Sequence, residues 1–480
     1  MEQVIYEYSS KGKKGASLPA KPVSEDTVKN YIPETLLRQT DLNLPEVSEP
    51  EVVRHFTNLS TMNHHVDKGF YPLGSCTMKY NPKINDKIAG LPGFANIHPL
   101  QPESSVQGAL EMMYDLEKML CALTGMHAAT LQPAAGSHGE LTGVMIIKKY
   151  HEAKGEKRKY ILIPDSAHGT NPSSAYSANF ETLALKSNEK GCIDINDLRE
   201  KMTRDVAGLM ITNPNTLGLF EEEVEQIVDI VHQHDGIVYM DGANLNALLG
   251  ITCPGDLGFD ITHINLHKTF STPHGGGGPG SGPITVVKKL EKYLPEPRVI
   301  KSNNSFKLSS DFPDSIGKVI GLYGNFGVMV RAYVYVTMLG IRGLAEVSRN
   351  AILNANYLRV RLADKFAIPY NRACMHEFVA SGDNHRELGI KTLDIAKRLL
   401  DFGLHAPTVY FPLIVREAIM VEPTETESKQ TLDKFIEAME QIDREAHENP
   451  DILHDAPHTT PVRRLDELKA NKDLNICWVK

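Results

Sequence analysis

From about residue 105, continuous apolar segments alternate with amphipathic helical segments, and this alternation restricts the possible folds. The apolar segments, in chain order, are AATL, KYILIPD, VAGLMITNP and IVYMDGAN. One segment between them, EEEVEQIVDIVHQHDG, places Val224, Ile227, Val228 and Val231 on a single helical face. Strands separated by helices predict a mostly parallel sheet, whose strands are apolar because both faces are buried. We therefore expect an α/β fold.

The character of the chain changes on either side of this region, which predicts three parts. Residues 1–60 are rich in proline and charge, so we expect an extended N-terminal arm with short helices, or disorder. Residues 61–345 form the predicted large α/β domain. Residues 346–480 contain two strand-like segments, PTVYFPLIV and EAIMVEP, and the amphipathic helix ETESKQTLDKFIEAMEQIDREAHE. They predict a smaller C-terminal α+β domain.

Composition argues against several classes of protein. The chain of 480 residues has 51 basic and 60 acidic residues, a formal net charge of -9, which disfavours nucleic-acid binding. Its six cysteines show no CxxC spacing, so neither a metal site nor a disulfide framework is predicted. The N-terminal segment MEQVIYEYSSKGKKGAS lacks the apolar core of a secretion signal, and we see no apolar run of the ~20 residues that span a bilayer. We expect a soluble cytoplasmic protein without a membrane partner.

Small and polar residues follow the predicted strands, at the sheet edge where α/β folds bind ligands. After AATL, the residues Ala135, Gly136 and Ser137 precede a helix, so their amide groups can bind a phosphate. His168 follows the strand KYILIPD, and Asn215 follows VAGLMITNP. Each of these residues alone has an ordinary structural explanation.

Three further residues extend this set. Asp241 and Ala243 end the strand IVYMDGAN, and Lys268 follows another apolar stretch, just before the glycines Gly275–Gly278. Pyridoxal phosphate requires a lysine for a Schiff base and an acid at its ring nitrogen. It also requires a phosphate site at a helix N-terminus and a flat group that stacks on the ring. All four occur on successive strand ends, so together they predict a pyridoxal phosphate enzyme.

Longer motifs resemble one family. QPAAGSHGE, SAHGTNPSSA, TNPNTLGLFE, DGANLNALLG and NLHKTFSTPHGGGGPG closely resemble motifs of the glycine decarboxylase (P-protein) of the glycine cleavage system. YPLGSCTMKYNP, HAPTVYFP, MVEPTETES and HTTPVRRLDE match as well, so the resemblance covers nearly the whole chain. It implies the fold-type I architecture of pyridoxal phosphate enzymes, which is like that of aspartate aminotransferase. It also implies decarboxylation of glycine, release of carbon dioxide and transfer of the aminomethyl group to the lipoyl cofactor of the H-protein.

The resemblance also implies roles for individual residues. Lys268 matches the Schiff-base lysine, Asp241 the partner of the pyridinium nitrogen, and His168 the residue stacked on the ring. The phosphate loop corresponds to Ala135, Gly136 and Ser137. Further candidates for contact with the phosphate, the ring hydroxyl or the substrate are Asn215, His138, His267 and Thr269.

Two features of these motifs have no single assigned role. Cys76 lies in the motif LGSCTMK, from which no chemistry follows. The glycines Gly275–Gly278 can form a lid for a lipoyl arm or a turn beneath the cofactor, and both alternatives stay open.

P-proteins are either one long chain or two separate subunits, and this chain matches the lysine-bearing half. The resemblance therefore implies a partner, subunit 1, in an assembly of two copies of each chain, with the lipoylated H-protein as a further partner. One alternative is another fold-type I enzyme, such as an amino-acid decarboxylase, aminotransferase or cysteine desulfurase. The other is a non-catalytic scaffold or regulatory subunit. The motifs outside the cofactor site disfavour the first, and the presence of both Lys268 and Asp241 disfavours the second.

Overall fold

The computed structural model describes residues 2–22, 24, 28, 30–274 and 280–478. Two compact units are present, residues 1–68 and 69–480. In the first unit, helix α1 (Glu49–Thr61) begins at a capping box in which Ser48 and Glu51 satisfy each other's backbone amides. Upstream of it, a short 3-10 helix spans Ile5–Tyr8.

The second unit is built on a seven-stranded sheet. Its strands are β1 (Ala128–Thr130), β2 (Tyr160–Pro164), β3 (Glu181–Leu185), β4 (Val206–Thr212), β5 (Ile237–Gly242), β6 (Ile261–Ile264) and β7 (Ile284–Val286). The spatial order is β1-β7-β6-β5-β4-β2-β3. The five strands β2 to β6 run parallel to one another, whereas β7 is antiparallel to both β1 and β6. The predicted mostly parallel sheet is confirmed.

The second unit also contains helices, and several of them connect and cover these strands. They are α2 (Lys83–Ala89), α3 (Pro92–Ala95), α4 (Gln107–Thr124), α5 (Gly136–Ala153), α6 (Thr170–Ser177), α7 (Ile195–Lys201), α8 (Val224–Gln233), α9 (Leu266–Thr269), α10 (Phe326–Leu362), α11 (Thr392–Asp401), α12 (Lys429–Glu448), α13 (Asp451–His454) and α14 (Glu467–Lys472). Gly125 ends α4 in the left-handed conformation, with φ of 68°, as its position after the last apolar residue predicts. The four valine and isoleucine residues predicted to share one face of α8 are all buried.

The sheet separates two apolar clusters. Along β4, Leu209 and Ile211 pack into one cluster, and Met210 packs into the other. Successive side chains of a strand point to opposite faces, so both faces of β4 are covered by helices. This explains why all seven residues of β4 are buried and apolar or small.

The C-terminal region contains a second sheet. It is antiparallel, with the order β10-β12-β11, and its strands are β10 (Phe378–Ser381), β11 (Thr408–Val409) and β12 (Ala418–Val421). Strands β8 (Arg298–Ser302) and β9 (Ser305–Ser309) form a separate hairpin before α10. The strand predicted from EAIMVEP is confirmed as β12. The strand predicted from PTVYFPLIV is wrong for most of its length, because only Thr408–Val409 pair. Pro412 interrupts the segment, since proline has no amide hydrogen to donate to a sheet.

Helix α10 crosses the predicted boundary at residues 345 and 346. Gly340 interrupts it with non-helical backbone angles. Before Gly340, Val328 and Met329 pack into the core of the large sheet, and after it, Ala355 and Leu358 pack into the core of the C-terminal region. In the described part of the chain, only α10 is long and apolar enough to cross a membrane, by length and composition alone. Core helices of soluble proteins share these properties. The division into the three predicted parts, 1–60, 61–345 and 346–480, stays a prediction.

Candidate active site

The carboxyl ends of the parallel strands bring polar side chains together. Thr212 on β4 is the register neighbour of Asp241 on β5, and Asp241 is the register neighbour of His263 on β6. The N-terminus of α5, the loop after β2 and helix α9 reach the same edge. Together they enclose a pocket of about 280 Å³.

Every cofactor or catalytic residue predicted from the sequence lines this pocket except Asn215, His138 and Thr269. The lining set from the prediction is Ala135, Gly136, Ser137, His168, Asp241, Ala243, His267 and Lys268. The amide group of Asn215 instead donates to the carbonyl of Gly191 at 2.8 Å, and its oxygen accepts from the backbone amides of Leu217 and Leu219. Asn215 therefore organises the loop after β4 and does not reach the pocket.

Lys268 lies half-buried on α9. Its Nζ donates a hydrogen bond of 2.7 Å to the carbonyl oxygen of Ser75, which enters the pocket with Cys76 from a distant loop. The neighbouring His267 accepts from the backbone amide of Ser281 through Nδ1 at 3.2 Å. Burial, and then the nearby His274 and Lys268, lower the pKa of His267 to about 3, so its ring is neutral at physiological pH. The glycines Gly275–Gly278 lie outside the described residues.

Asp241 is a buried acceptor beside a buried histidine. The carboxylate is 3% exposed, and its Oδ1 accepts from the backbone amide of Ala243 at 3.0 Å. The Nε2 atom of His263 lies 3.4 Å from the same oxygen, and Nδ1 of His263 is hydrogen-bonded to the hydroxyl of Tyr239 at 2.6 Å. Burial lowers the pKa of His263, although the charge of Asp241 opposes this effect. The result is a largely neutral ring held behind a negative carboxylate.

A second carboxyl group, that of Glu140, shares the pocket with Asp241. Its two oxygens accept from the hydroxyl groups of Thr170 at 2.8 Å and Ser174 at 3.1 Å. The same Thr170 oxygen lies 2.8 Å from Nδ1 of His168. Burial first, and then the charge of Asp241, raise the pKa of Glu140 to about 7. Glu140 therefore changes its protonation near neutral pH, and a hydrogen-bonded chain connects it to His168.

Sequence reasoning missed several lining residues. Glu140 lies four residues after Gly136, so helical spacing would have placed it on the same face of α5. His263 is identified only by its register with Asp241, which no local pattern reveals. The other residues that line the pocket without having been predicted are Ser75, Thr170, Thr212, Thr216, Asn244 and Asn265.

The pocket fits an anionic, planar cofactor. Helix α5 begins there, and its N-cap residue Ala135 makes no side-chain hydrogen bond, so an anion can bind the first amides of the helix. A Cβ atom on Gly136 would lie 2.5 Å from Asn265 Oδ1, so any larger residue would have to displace the Asn265 side chain. Thr212 Oγ1, His263 Nε2 and Asn265 Oδ1 are buried and have no hydrogen-bond partner in the described protein. Such unpaired atoms are typical of a site that a polar ligand completes.

Solved structures with the same architecture define the fold class. The chain aligns with the glycine decarboxylase (P-protein) of the glycine cleavage system, in inhibitor-bound form, with a TM-score of 0.74, 19% identity, and coverage of 87% of this chain and 95% of that chain. For a cysteine desulfurase from Thermococcus onnurineus NA1, the TM-score is 0.60 at 15% identity, with coverage of 81% and 96%. For a Lactobacillus brevis glutamate decarboxylase, it is 0.65 at 11% identity, with coverage of 86% and 96%. The predicted fold-type I α/β architecture is confirmed.

Sequence comparisons define the family. The family model of the glycine cleavage system P-protein matches residues 20–305, and the family model of the glycine dehydrogenase C-terminal domain matches residues 347–458. The chain is 58% identical over 477 residues to a probable glycine dehydrogenase (decarboxylating) subunit 2 of Chlorobium chlorochromatii (strain CaD3), with 99% of each chain covered. A protein of the same name from Caldanaerobacter subterraneus subsp. tengcongensis is 55% identical over 478 residues, again with 99% of each covered. The chain belongs to the glycine cleavage system P-protein family.

Proposed function

We propose that this chain is the pyridoxal phosphate-bearing subunit of a split glycine decarboxylase. It decarboxylates glycine, releases carbon dioxide and transfers the aminomethyl group to the lipoyl cofactor of the H-protein. The observation that carries the proposal is the convergence of Lys268, Asp241 and the N-terminus of α5 on one pocket. Family membership over the whole chain favours this reaction over those of other fold-type I enzymes.

Different parts of the pocket would hold different parts of the cofactor. Lys268 is the residue for the covalent link, and Asp241 is the partner of the ring nitrogen. The amides of Gly136 and Ser137 at the start of α5 suit the phosphate, and the imidazole of His168 offers a flat face to the ring. When bound, pyridoxal phosphate supplies a ring that accepts the electron pair left behind as carbon dioxide departs.

The chain's own residues prepare this chemistry. The carboxylate of Asp241 favours the protonated form of the ring nitrogen, because an adjacent negative charge stabilises a cation. The hydrogen bond from the backbone amide of Ala243 keeps that carboxylate in place. When Lys268 is not linked to the cofactor, its amine stays close to the reacting atoms, because Ser75 accepts its hydrogen bond. That position makes Lys268 the candidate proton donor.

We further propose that the active unit contains a second chain. Relatives that this chain covers over 97% and 99% of their length are named subunit 2, which points to a separate subunit 1. We expect two copies of each chain, a cytoplasmic location, and transient docking of the lipoylated H-protein at the mouth of the pocket.

One assay tests the reaction directly. Carboxyl-labelled glycine is incubated with this chain, with and without subunit 1 and lipoylated H-protein, and labelled carbon dioxide is counted. Release that requires the complete mixture and is lost in Lys268→Ala supports the proposal. A complete mixture that binds cofactor but releases no carbon dioxide from glycine would contradict it.

A further inference from the structure

A second pair of buried acids lies close to Lys268, outside the pocket described above. Glu377 directly precedes β10 and Glu422 directly follows β12, and both side chains are fully buried. Their oxygens and a ring nitrogen of His376 lie within 4.8 Å of one another. The reaction proposed above assigns none of these three residues a role.

The two carboxyl groups hold the loop that carries Ser75. Glu377 accepts from the backbone amide of Ser75 at 2.8 Å. Glu422 accepts from the backbone amide of Thr77 at 3.0 Å and from its hydroxyl at 2.5 Å. Ser75 and Thr77 have φ values of 61° and 30°, a backbone region that residues other than glycine rarely adopt. The carboxyl groups therefore stabilise a strained loop, whose carbonyl at Ser75 binds the Lys268 ammonium.

The groups around this pair supply too little positive charge to balance two ionised carboxylates. Burial lowers the pKa of His376 to about 3, so its ring is neutral, and neither ring nitrogen has a hydrogen-bond partner in the described protein. The nearby Glu425 is negative and is paired with Lys79 at 2.7 Å. Lys268 is therefore the cation that remains to offset the pair, because it lowers the pKa of both acids.

One proton is required to complete the balance. Burial, and then the proximity of Glu422, raise the pKa of Glu377, and burial raises that of Glu422 to about 7. Glu377 Oε1 is buried without a hydrogen-bond partner in the described protein, which makes it the natural position for that proton. With that proton in place, the two carboxyl groups, whose oxygens lie within 4.8 Å of each other, carry a single negative charge near Lys268.

We propose that Glu377 and Glu422 are a positioning pair for Lys268: they share one proton and, through the loop from Ser75 to Thr77, determine where the lysine amine lies. The inference rests on the proposed role of Lys268 as the residue linked to the cofactor. The pair contributes a negative charge that favours the protonated lysine nitrogen, and it supplies the acceptors that keep the loop in its strained conformation.

The test uses Glu377→Gln, Glu422→Gln and the double variant, in this chain assembled with subunit 1. Glutamine keeps an acceptor for the loop amides but cannot be ionised. Two quantities are measured: the pH midpoint of the visible absorbance of bound pyridoxal phosphate, and kcat and KM for glycine. Glu437→Gln, at an exposed position on α12, is the matched control.

We expect Glu422→Gln and the double variant to move the absorbance midpoint down by about one pH unit, because the protonated lysine nitrogen loses a nearby negative charge. Glu377→Gln replaces the protonated member of the pair and should leave the midpoint near that of the wild type. We expect kcat of Glu422→Gln to fall about tenfold with KM changed less than about twofold, and the double variant to resemble it, because the pair carries a single charge. Thr77→Val, which loosens the loop and leaves both carboxyl groups, should lower kcat and move the midpoint less than Glu422→Gln does, because Glu422 loses only one of its hydrogen bonds. The control should match the wild type.

An unchanged midpoint in Glu422→Gln and in the double variant would overturn the inference, as would an unchanged kcat in Thr77→Val. A stoichiometric divalent cation in the wild type that is lost in Glu377→Gln would also overturn it, because the three residues would then be metal ligands. A wild-type chain without a borohydride-reducible adduct on Lys268 would instead refute the proposed function.

Discussion

The ammonium of Lys268 lies 2.7 Å from the carbonyl oxygen of Ser75, a residue 193 positions earlier in the chain. This contact joins the helix that follows β6 to a loop that precedes the seven-stranded sheet. The acceptor is a neutral carbonyl, so the bond is weaker than an ion pair with a carboxylate. The lysine is thus held in place but can be released to form a covalent link.

Lys268→Ala should abolish the borohydride-reducible link between the chain and pyridoxal phosphate, because Lys268 carries the only amine among the described residues that line the pocket. Reduction followed by peptide mapping measures this. Lys307→Ala, at an exposed position on β9, is the control and should retain the adduct. An adduct mapped to a different lysine in the wild type would show that the assignment is wrong.

Asp241→Asn should retain part of the bound cofactor but lower glycine decarboxylation on the order of 100-fold, because the ring nitrogen loses the negative charge that keeps it protonated. The amide oxygen of asparagine can still accept from Ala243, so the loop after β5 should persist. Labelled carbon dioxide release and the visible spectrum are the measurements. Turnover near that of the wild type would remove Asp241 from the mechanism.

Glu140→Gln should change how stability depends on pH. Glu140 has an ordinary pKa of 4.5, and burial and Asp241 raise it to about 7 in the folded chain. Its contribution to stability is therefore fully present below about pH 4.5 and is lost as the pH rises through about 7. Between these two pH values, the free energy of unfolding of the cofactor-free wild type should fall on the order of 2–3 kcal/mol more than that of Glu140→Gln. Urea unfolding at several pH values measures the difference, and parallel curves would contradict the prediction.

Glu425→Gln should destabilise the chain by about 3 kcal/mol or more, because it leaves the buried Lys79 ammonium without its counter-charge. Lys79 also donates to the carbonyl of Thr269 at 2.9 Å and to the hydroxyl of Tyr335 at 3.2 Å, so the pair lies beside α9. Burial alone would lower the pKa of Lys79, but Glu425 and Tyr335 more than compensate and raise it.

Urea unfolding again provides the measurement for this ion pair. Adding Lys79→Met to Glu425→Gln should restore much of the lost stability, because no uncompensated charge remains. Glu346→Gln removes an exposed pair with Arg349 and should cost less than about 1 kcal/mol. Equal effects of Glu425→Gln and Glu346→Gln would show that burial of the Lys79 pair has no energetic consequence.

We expect this chain to release labelled carbon dioxide from glycine only when it is mixed with subunit 1, in a complex of two copies of each chain. Light scattering coupled to size-exclusion chromatography, on separate and co-expressed subunits, measures the stoichiometry. Full activity of this chain alone would contradict the prediction and would favour an active homodimer.

The sequence alone determined the α/β class, because the alternation of apolar strands and amphipathic helices is a local property. It also determined most of the pocket. Residues that follow parallel strands must meet at one edge of the sheet, so Gly136, His168, Asp241 and Lys268 were found without coordinates. Asn215 follows a strand as well but lies apart, because the carbonyl of Gly191 and the backbone amides of its own loop satisfy its side chain.

Only the tertiary structure decided which side chains complete the site. His263 faces Asp241 because of the register between β5 and β6, and register depends on packing across the whole sheet. Ser75 and Glu377 are 302 positions apart, yet their hydrogen bond shapes the loop that holds Lys268. Periodicity and strand-end rules act over a few residues, whereas such contacts arise only when the small sheet packs against the loop that follows β4. For that reason the sequence indicated where the chemistry lies, and the fold determined what surrounds it.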